Sequence, residues 1–305
     1  MDRNRKGFTL IELLVVIAII AMLLAIILPS LQAAKQMATG AVCVSHQKQL
    51  ITAWVSYSTD NNNSLVGGSN YHSGPYPTPY RWVEFPLASD KHNPEVAGQG
   101  PVGEADYTIE TRKNGIRAGQ LYTYAGNEEL YHCPGDKTVV KNSEPLAVFR
   151  SYEISGLMNS EDFLPNGRAS ASDITSPIVN FRTAEVLPGF TKEMKVAVKD
   201  TDIRSPGNKM VFVEADVQWH VNYDRTQLGG WVLFAGGSYG WWDWPAYYHK
   251  DSSTFSFADG HAEKHKWKEE DTIQLMRGEI TLQQANLIAA NNEDLLWLAK
   301  AYVPK

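Results

Sequence analysis

The chain has 305 residues, of which 43% are hydrophobic, and a formal net charge of −6 at pH 7. This length can bury a sizeable core and leaves room for one large domain or two small ones beyond a membrane anchor. The acidic balance argues against nucleic acid as a main partner, because phosphate contacts require a basic face.

The first predicted element is a hydrophobic run of 21 residues from Phe8 to Leu28, in which only Thr9 and Glu12 are polar. A helix of this length spans roughly 30 Å, the thickness of the hydrocarbon core of a bilayer. Three basic residues in the leader 1–7 predict a cytoplasmic N-terminus and translocation of the rest of the chain. A cleaved secretory signal is the alternative, but the run is longer than a usual signal core and no Ala-x-Ala site closes it.

Glu12 is the unusual residue of this run. Insertion scales assign about 2.5–3.5 kcal/mol to an acidic residue at the centre of a span, so such a carboxylate is expected to have a partner. Glu12 also lies in the first helical turn, where the helix dipole favours an anion.

Residues 6–12, Lys-Gly-Phe-Thr-Leu-Ile-Glu, resemble the prepilin-type signal of type IV pilins and type II secretion pseudopilins. The resemblance implies that a prepilin peptidase cuts between Gly7 and Phe8 and methylates the new amino terminus of Phe8. In a filament, we expect the Glu12 carboxylate to pair with the Phe8 amine of a neighbouring subunit. The resemblance further implies other pilin or pseudopilin subunits, an assembly platform and its ATPase as partners.

The helix is predicted to continue to about Tyr57, because Cys43, Leu50, Trp54 and Tyr57 recur on one helical face. The predicted class is α+β, with this long N-terminal helix packed on a mostly antiparallel β-sheet head, as in pilins. The protein is expected to be a single-pass inner-membrane protein whose head lies in the periplasm or at the cell surface. Its predicted parts are a cleaved leader (1–7), a transmembrane or filament-core helix (8–28), an amphipathic continuation (29–60) and a globular head (61–305).

The head is predicted to be loop-rich up to residue 130, with one short helix at Ile116–Gly126. Its tail is predicted to be helical in two pieces from Asp271 onwards. Strand-like runs lie at 147–154, 195–198, 209–217, 230–235 and 253–258.

The two cysteines, Cys43 and Cys133, form an even count in a chain whose head is translocated into an oxidising compartment. One disulfide between them would close a loop of about 90 residues and contribute about 4–5 kcal/mol in the chain-entropy model. Two unrelated buried thiols are the alternative. The chain has no CxxC motif, which argues against zinc or thioredoxin chemistry.

A second motif lies near the C-terminus, where His249 is followed after nine residues by Asp259-Gly260. This resembles the H-X9-DG pattern of a prepilin-like family with large heads. Two further segments, 43–50 and 133–136, resemble Cys-x-x-x-x-(Lys/Arg)-Gln-Leu and Cys-Pro-x-Asp segments of the same family.

Two interpretations of the Asp259-Gly260 pair stay open. An Asp-Gly pair is a strong hairpin signal, so both residues can serve a turn alone. Alternatively, Asp259, Asp251 and Asp216 supply oxygen ligands to calcium.

Two other chemistries find less support. His261 and His265 are four residues apart, but on a strand they would lie about 13 Å apart and could not share a zinc ion. His249 and Asp259 as a catalytic dyad lack any accompanying nucleophile motif, so no enzyme is predicted.

Five of the nine tryptophans fall in the segment 219–244. They either pack in the core and loops or form an exposed aromatic surface that stacks on sugars or contacts subunits. The predicted function is therefore a structural subunit of a type IV pilus or a type II secretion pseudopilus. The alternative is a membrane-anchored or pilus-tip module that binds glycans.

Overall fold

The computed structural model describes most of the N-terminal helix and the central parts of the head. The described residues are 9–68, 81–88, 108–136, 150–159, 179–180, 193–194, 196–215, 230–231, 233, 241, 243–287 and 292–302.

The dominant element is helix α1, Leu10–Asp60, whose 51 residues span about 77 Å. It continues through Pro29 and ends where Asn62 and Asn63 adopt positive φ angles. By length and composition its N-terminal part can cross a membrane, and the apolar side chains of that part are exposed on the single chain, Leu10 by 78%. The predicted long helix is confirmed.

The second half of α1 buries one face against the head. Cys43, Leu50, Trp54 and Tyr57 are all buried, which confirms the predicted packing face. Helix α1 therefore differs between its two halves, because the apolar surface of the first half is exposed and one face of the second half is covered by the head.

The described part of the head contains six short strands. A four-stranded antiparallel sheet has the order β1-β4-β5-β6, and β2 pairs with β3 in a separate ribbon. The long helix and the antiparallel sheet together confirm the predicted α+β class. The strands are β1 Tyr152–Ile154, β2 Val179–Asn180, β3 Glu193–Met194, β4 Met210–Glu214, β5 Ser252–Phe257 and β6 Ala262–Lys266.

The four-stranded sheet lies between α1 and the C-terminal helices. Phe255 and Phe257 of β5 share a core cluster with residues of these helices, whereas Thr254, directly before Phe255, bonds to Gln47 of α1. Strand residues alternate between the two faces of a sheet, so β5 contributes to both layers. The register shifts between Met210 and Phe212 of β4, which lie in different clusters.

Several predicted boundaries are wrong. The helix expected at 116–126 is divided into α2, Ile109–Ala118, and α3, Tyr122–Ala125. A capping box at Thr108 starts α2 earlier, and Gly119 ends it in extended backbone that runs close to the carbonyl oxygen of Trp82. A Cβ at Gly119 would lie 2.1 Å from that oxygen, so no larger residue fits.

The remaining differences concern short elements. Within the runs predicted as strands at 195–198 and 230–235, Ala197 and Trp231 form isolated bridges instead. Residues 195, 232 and 234–235 lie outside the described residues, as does 147–149 of another predicted strand. The described residues of the tail form three helical pieces rather than two: α4 Glu270–Met276, α5 Leu282–Leu287 and α6 Glu293–Tyr302. Gly278, with φ +71, follows α4 and accommodates the break before α5.

Candidate functional site

The start of α1 is organised around Thr9 and Glu12. The Glu12 Oε2 accepts hydrogen bonds from the backbone N–H of Thr9 (2.9 Å) and from its hydroxyl (2.8 Å). The Glu12 N–H donates to the Thr9 Oγ1 at 3.3 Å, which completes a capping box. Glu12 thus has a partner within its own chain, whereas Oε1 makes no hydrogen bond within the described part of α1.

The predicted cleavage position lies outside the described residues, since Gly7 and Phe8 both precede Thr9. The partner of Glu12 that the structure shows is Thr9, and this pairing has a recognisable pattern in the sequence. Thr9 and Glu12 stand at the Thr-x-x-Glu spacing of a capping box, directly before an apolar run.

The second functional region is the junction between α1 and the head. Cys43 of α1 and Cys133 form a disulfide with their Cα atoms 5.4 Å apart, and both residues are fully buried. This confirms the predicted crosslink between helix and head and excludes two unrelated thiols. The Gly135 N–H donates to the Cys133 Sγ at 3.2 Å, so the tight Cys-Pro-Gly-Asp turn directs a backbone donor at the sulfur.

His249, the first residue of the C-terminal motif, lies against this disulfide. Its Nε2 is 3.3 Å from the Cys133 Sγ and 3.1 Å from the Glu214 Oε1. The other Glu214 oxygen, Oε2, accepts from the backbone N–H and the hydroxyl of Thr254, each at 3.2 Å. Both His249 and Glu214 are buried, and His249 Nδ1 has no hydrogen-bond partner among the described residues. We call Cys43, Cys133, Glu214 and His249 the junction cluster.

Polar side chains around the junction cluster connect α1 to the sheet. Gln47, fully buried one turn after Cys43, donates through Nε2 to the Thr254 carbonyl (2.7 Å) and hydroxyl (3.0 Å). Lys48 next to it donates to the Gly260 carbonyl at 2.5 Å. The helix is therefore joined to the head by one disulfide and by polar contacts to β5 and to the turn that follows it.

Asp136 closes the turn that carries Cys133. Its Oδ2 accepts from the Ser151 hydroxyl at 2.8 Å, and the Ser151 Oγ accepts from the Cys133 N–H at 3.0 Å. Burial raises the pKa of the adjacent Tyr152 well above its ordinary value, and the charges of Glu214 and Asp136 raise it further.

The Asp259-Gly260 pair forms the turn between β5 and β6. Gly260 has φ +92, and the Asp259 Oδ1 accepts from the His261 N–H (3.0 Å) and contacts its Nδ1 (2.6 Å). Burial opposes ionisation of Asp259, but these bonds from His261 prevail and lower its pKa. The turn interpretation of Asp259 and Gly260 accounts for all of these contacts.

The predicted calcium donor set is wrong as a set. Asp251 precedes the six-residue strand β5 and Asp259 follows it, so the two carboxylates lie about 20 Å apart and cannot hold one ion. Asp251 instead contacts the Tyr247 hydroxyl and Arg277. Asp216 lies outside the described residues.

The structure also places His261, His265 and three of the five tryptophans of the segment 219–244. His261 and His265 flank or lie on strand β6, as predicted, and His265 stacks on Trp297 with ring centroids 3.6 Å apart. Trp231, Trp241 and Trp244 are buried, so these three cannot form the exposed aromatic surface that motivated the glycan-binding alternative. The two other tryptophans of that segment, Trp219 and Trp242, lie outside the described residues.

The long helix with an exposed apolar half, its capped carboxylate and the α+β head are consistent with a pilin fold. Residues 2–28 match the family model described as the prokaryotic N-terminal methylation motif. The chain is also similar to the type IV wide pilus major component PilA4 of Thermus thermophilus, with 48% identity over 61 residues. The N-terminal part of the chain therefore carries a prepilin-type signal and is similar to that of a type IV pilin.

The similarity covers only part of each protein. It includes 20% of this chain and 47% of PilA4, so the chain spans about half the length of the curated relative that it matches. No solved structure matches the chain significantly.

Proposed function

We propose that the chain is a structural subunit of a type IV pilus that turns over no substrate. The observation that carries this proposal is the exposed apolar half of α1 behind a methylation motif. In the precursor this surface lies in the inner membrane as a single span, and in the filament it packs against the same surface of other subunits. We favour a pilus over a type II secretion pseudopilus because the similar protein PilA4 is a pilus component.

Processing follows from the same proposal. A prepilin peptidase cuts between Gly7 and Phe8, methylates Phe8, and an assembly platform with its ATPase takes up the mature chain, whose head lies in the periplasm or on the cell surface. Mass spectrometry of the protein purified from membranes should find Phe8 as the first residue with one added methyl group. If the protein extracted from membranes still carried the leader of residues 1–7, cleavage between Gly7 and Phe8 would be refuted.

Glu12 gives assembly its register in this proposal. Its Oε2 is occupied by Thr9 of the same chain, which leaves Oε1 for the Phe8 amine of a neighbouring subunit. Pairing there offsets the cost of about 2.5–3.5 kcal/mol that an unpaired carboxylate carries in a span. The same carboxylate then serves both the helix start and the contact between subunits.

The test separates these two roles. Glu12→Gln keeps the capping box, which accepts Gln as well as Glu, but removes the charge. We expect Glu12→Gln to reduce filaments, counted by electron microscopy, by at least about tenfold while processing continues. Thr9→Ala is the matched control, because it breaks the capping box, keeps the charge and should assemble nearly as well as wild type. Equal impairment of both variants would assign Glu12 to capping alone, and normal assembly of Glu12→Gln would refute its role.

A further inference from the structure

The junction cluster brings together four side chains of the types that bind zinc. Cys43, Cys133, Glu214 and His249 each offer one ligand atom, and all four atoms lie within 4.8 Å of one another. The four residues are buried and come from separate parts of the chain: α1, the turn after residue 131, the end of β4 and the loop before β5. In the structure the two sulfurs are joined as a disulfide.

We propose that the reduced, dithiol form of the junction cluster binds one Zn²⁺ ion tetrahedrally through these four side chains. Zinc–sulfur bonds of about 2.3 Å and zinc–nitrogen or zinc–oxygen bonds of about 2.0–2.1 Å place neighbouring ligand atoms about 3.3–3.8 Å apart. The His249 Nε2 already lies 3.3 Å from the Cys133 Sγ and 3.1 Å from the Glu214 Oε1. The two sulfurs must separate to about 3.8 Å for the ion to fit.

The groups behind these ligands are arranged as in a metal site. The Gly135 N–H points at the Cys133 Sγ, where it stabilises a thiolate. The N–H and hydroxyl of Thr254 hold one oxygen of Glu214 and leave the other directed at His249. Such outer contacts orient zinc ligands and tune their affinity.

A disulfide alone does not account for this composition. The crosslink is uncharged and needs two cysteines, whereas the adjacent buried Glu214 and His249 carry a desolvation cost that a paired geometry only partly offsets. A divalent cation bound by two thiolates and the Glu214 carboxylate would leave a net charge of −1, which the surrounding N–H and O–H donors can meet. The cluster is therefore suited to hold either a covalent crosslink or an ion.

Zinc binding requires that the disulfide is first reduced. A thiol or phosphine reductant supplies two electrons, and the disulfide takes up two protons to give two thiols. Zinc then displaces both thiol protons, so binding is favoured as pH rises. A disulfide-forming oxidant removes two electrons from the thiolates and releases the ion.

The test uses the full chain in detergent micelles. The protein is reduced by a phosphine in urea, refolded anaerobically with and without added metal, and titrated with Co²⁺ and then Zn²⁺. We expect one ion per reduced chain, a tetrahedral Co²⁺ spectrum with thiolate charge-transfer bands, displacement by Zn²⁺, and no binding by the oxidised chain. Failure of the reduced chain to bind one ion, or to refold with Zn²⁺ present, would overturn the proposal.

Variants and one independent measurement complete the test. His249→Gln and Glu214→Gln should each weaken Zn²⁺ binding by at least about tenfold, since even outer-shell changes cost about 10–100-fold. The matched control His261→Gln changes an imidazole at the β5–β6 turn and should bind as wild type. X-ray absorption on the wild-type zinc complex should count two sulfur and two nitrogen or oxygen ligands. Wild-type affinity in either cluster variant, or any other ligand count, would refute the site.

Discussion

The buried pair of His249 and Glu214 should be strongly coupled in the oxidised protein. We would measure a double-mutant cycle with His249→Gln, Glu214→Gln and the double variant. The pair lies 3.1 Å apart with both side chains fully buried, so each single change leaves its partner buried without its counterpart. Breaking a buried pair in this way costs about 3–5 kcal/mol.

The double variant should cost less than the sum of the two single changes. Residues in direct contact within one network show interaction energies of about 0.5–3 kcal/mol, and we expect the upper half of that range here. Urea unfolding in detergent, followed by tryptophan fluorescence, reads the head directly because no tryptophan lies in residues 8–28. With a urea slope of about 1–3 kcal/mol/M, a loss of about 3–5 kcal/mol should shift the midpoint by about 1–5 M.

The chain contains a matched control for this cycle. His261 and Asp259 are also an imidazole–carboxylate pair, 2.6 Å apart, but about 40% of each side chain is exposed. An exposed pair contributes at most about 1 kcal/mol, so His261→Gln with Asp259→Asn should show little coupling. If the buried cycle were additive, or no more strongly coupled than the exposed one, the structural role assigned to His249 would be refuted.

Two further predictions concern the disulfide and an acidic residue of α6. Replacing Cys43 and Cys133 together by serine should lower the free energy of unfolding by about 4–5 kcal/mol, because the crosslink joins residues 90 positions apart. Urea unfolding measures this loss, and a loss below about 1 kcal/mol would contradict the prediction. Burial alone would raise the pKa of Asp294, but the His265 imidazole and two backbone amides after β6 hold that pKa below its ordinary value. Its contribution to stability is therefore present above the unfolded pKa of about 3.9 and is lost as pH falls through the folded value. Asp294→Asn should flatten the acid side of the stability–pH curve, and an unchanged acid slope would refute this.

Elements with strong periodicity were predictable from the sequence. Helix α1 follows from an unbroken apolar run and a continuing buried face, and β5 from the alternation that puts Phe255 and Phe257 on one side. Boundaries set by tertiary contact were not predictable in this way. Helix α2 ends at Gly119 because that glycine packs on the Trp82 carbonyl, and nothing near Gly119 in the sequence announces Trp82.

In the junction cluster, too, some residues are marked by the sequence and others are brought in only by the fold. The motif singled out His249, and composition singled out the cysteines, but Glu214 lies within a hydrophobic strand where no local pattern marks it. Only the fold brings Glu214, 35 positions away, to the His249 ring. The calcium site could have been excluded from the sequence, because the strand predicted at 253–258 already separates Asp251 from Asp259.

The spacing of the C-terminal motif has a physical explanation in β5. Nine residues between His249 and Asp259 accommodate a six-residue strand with a short connection at each end. One end is fixed by His249 at the disulfide, the other by the turn whose Gly260 carbonyl accepts from Lys48 of α1. A strand with one residue more or fewer would turn every side chain to the opposite face. Thr254 would then lose Gln47, and the phenylalanines would leave the C-terminal helices, so the number nine follows from how the head is attached to its helix.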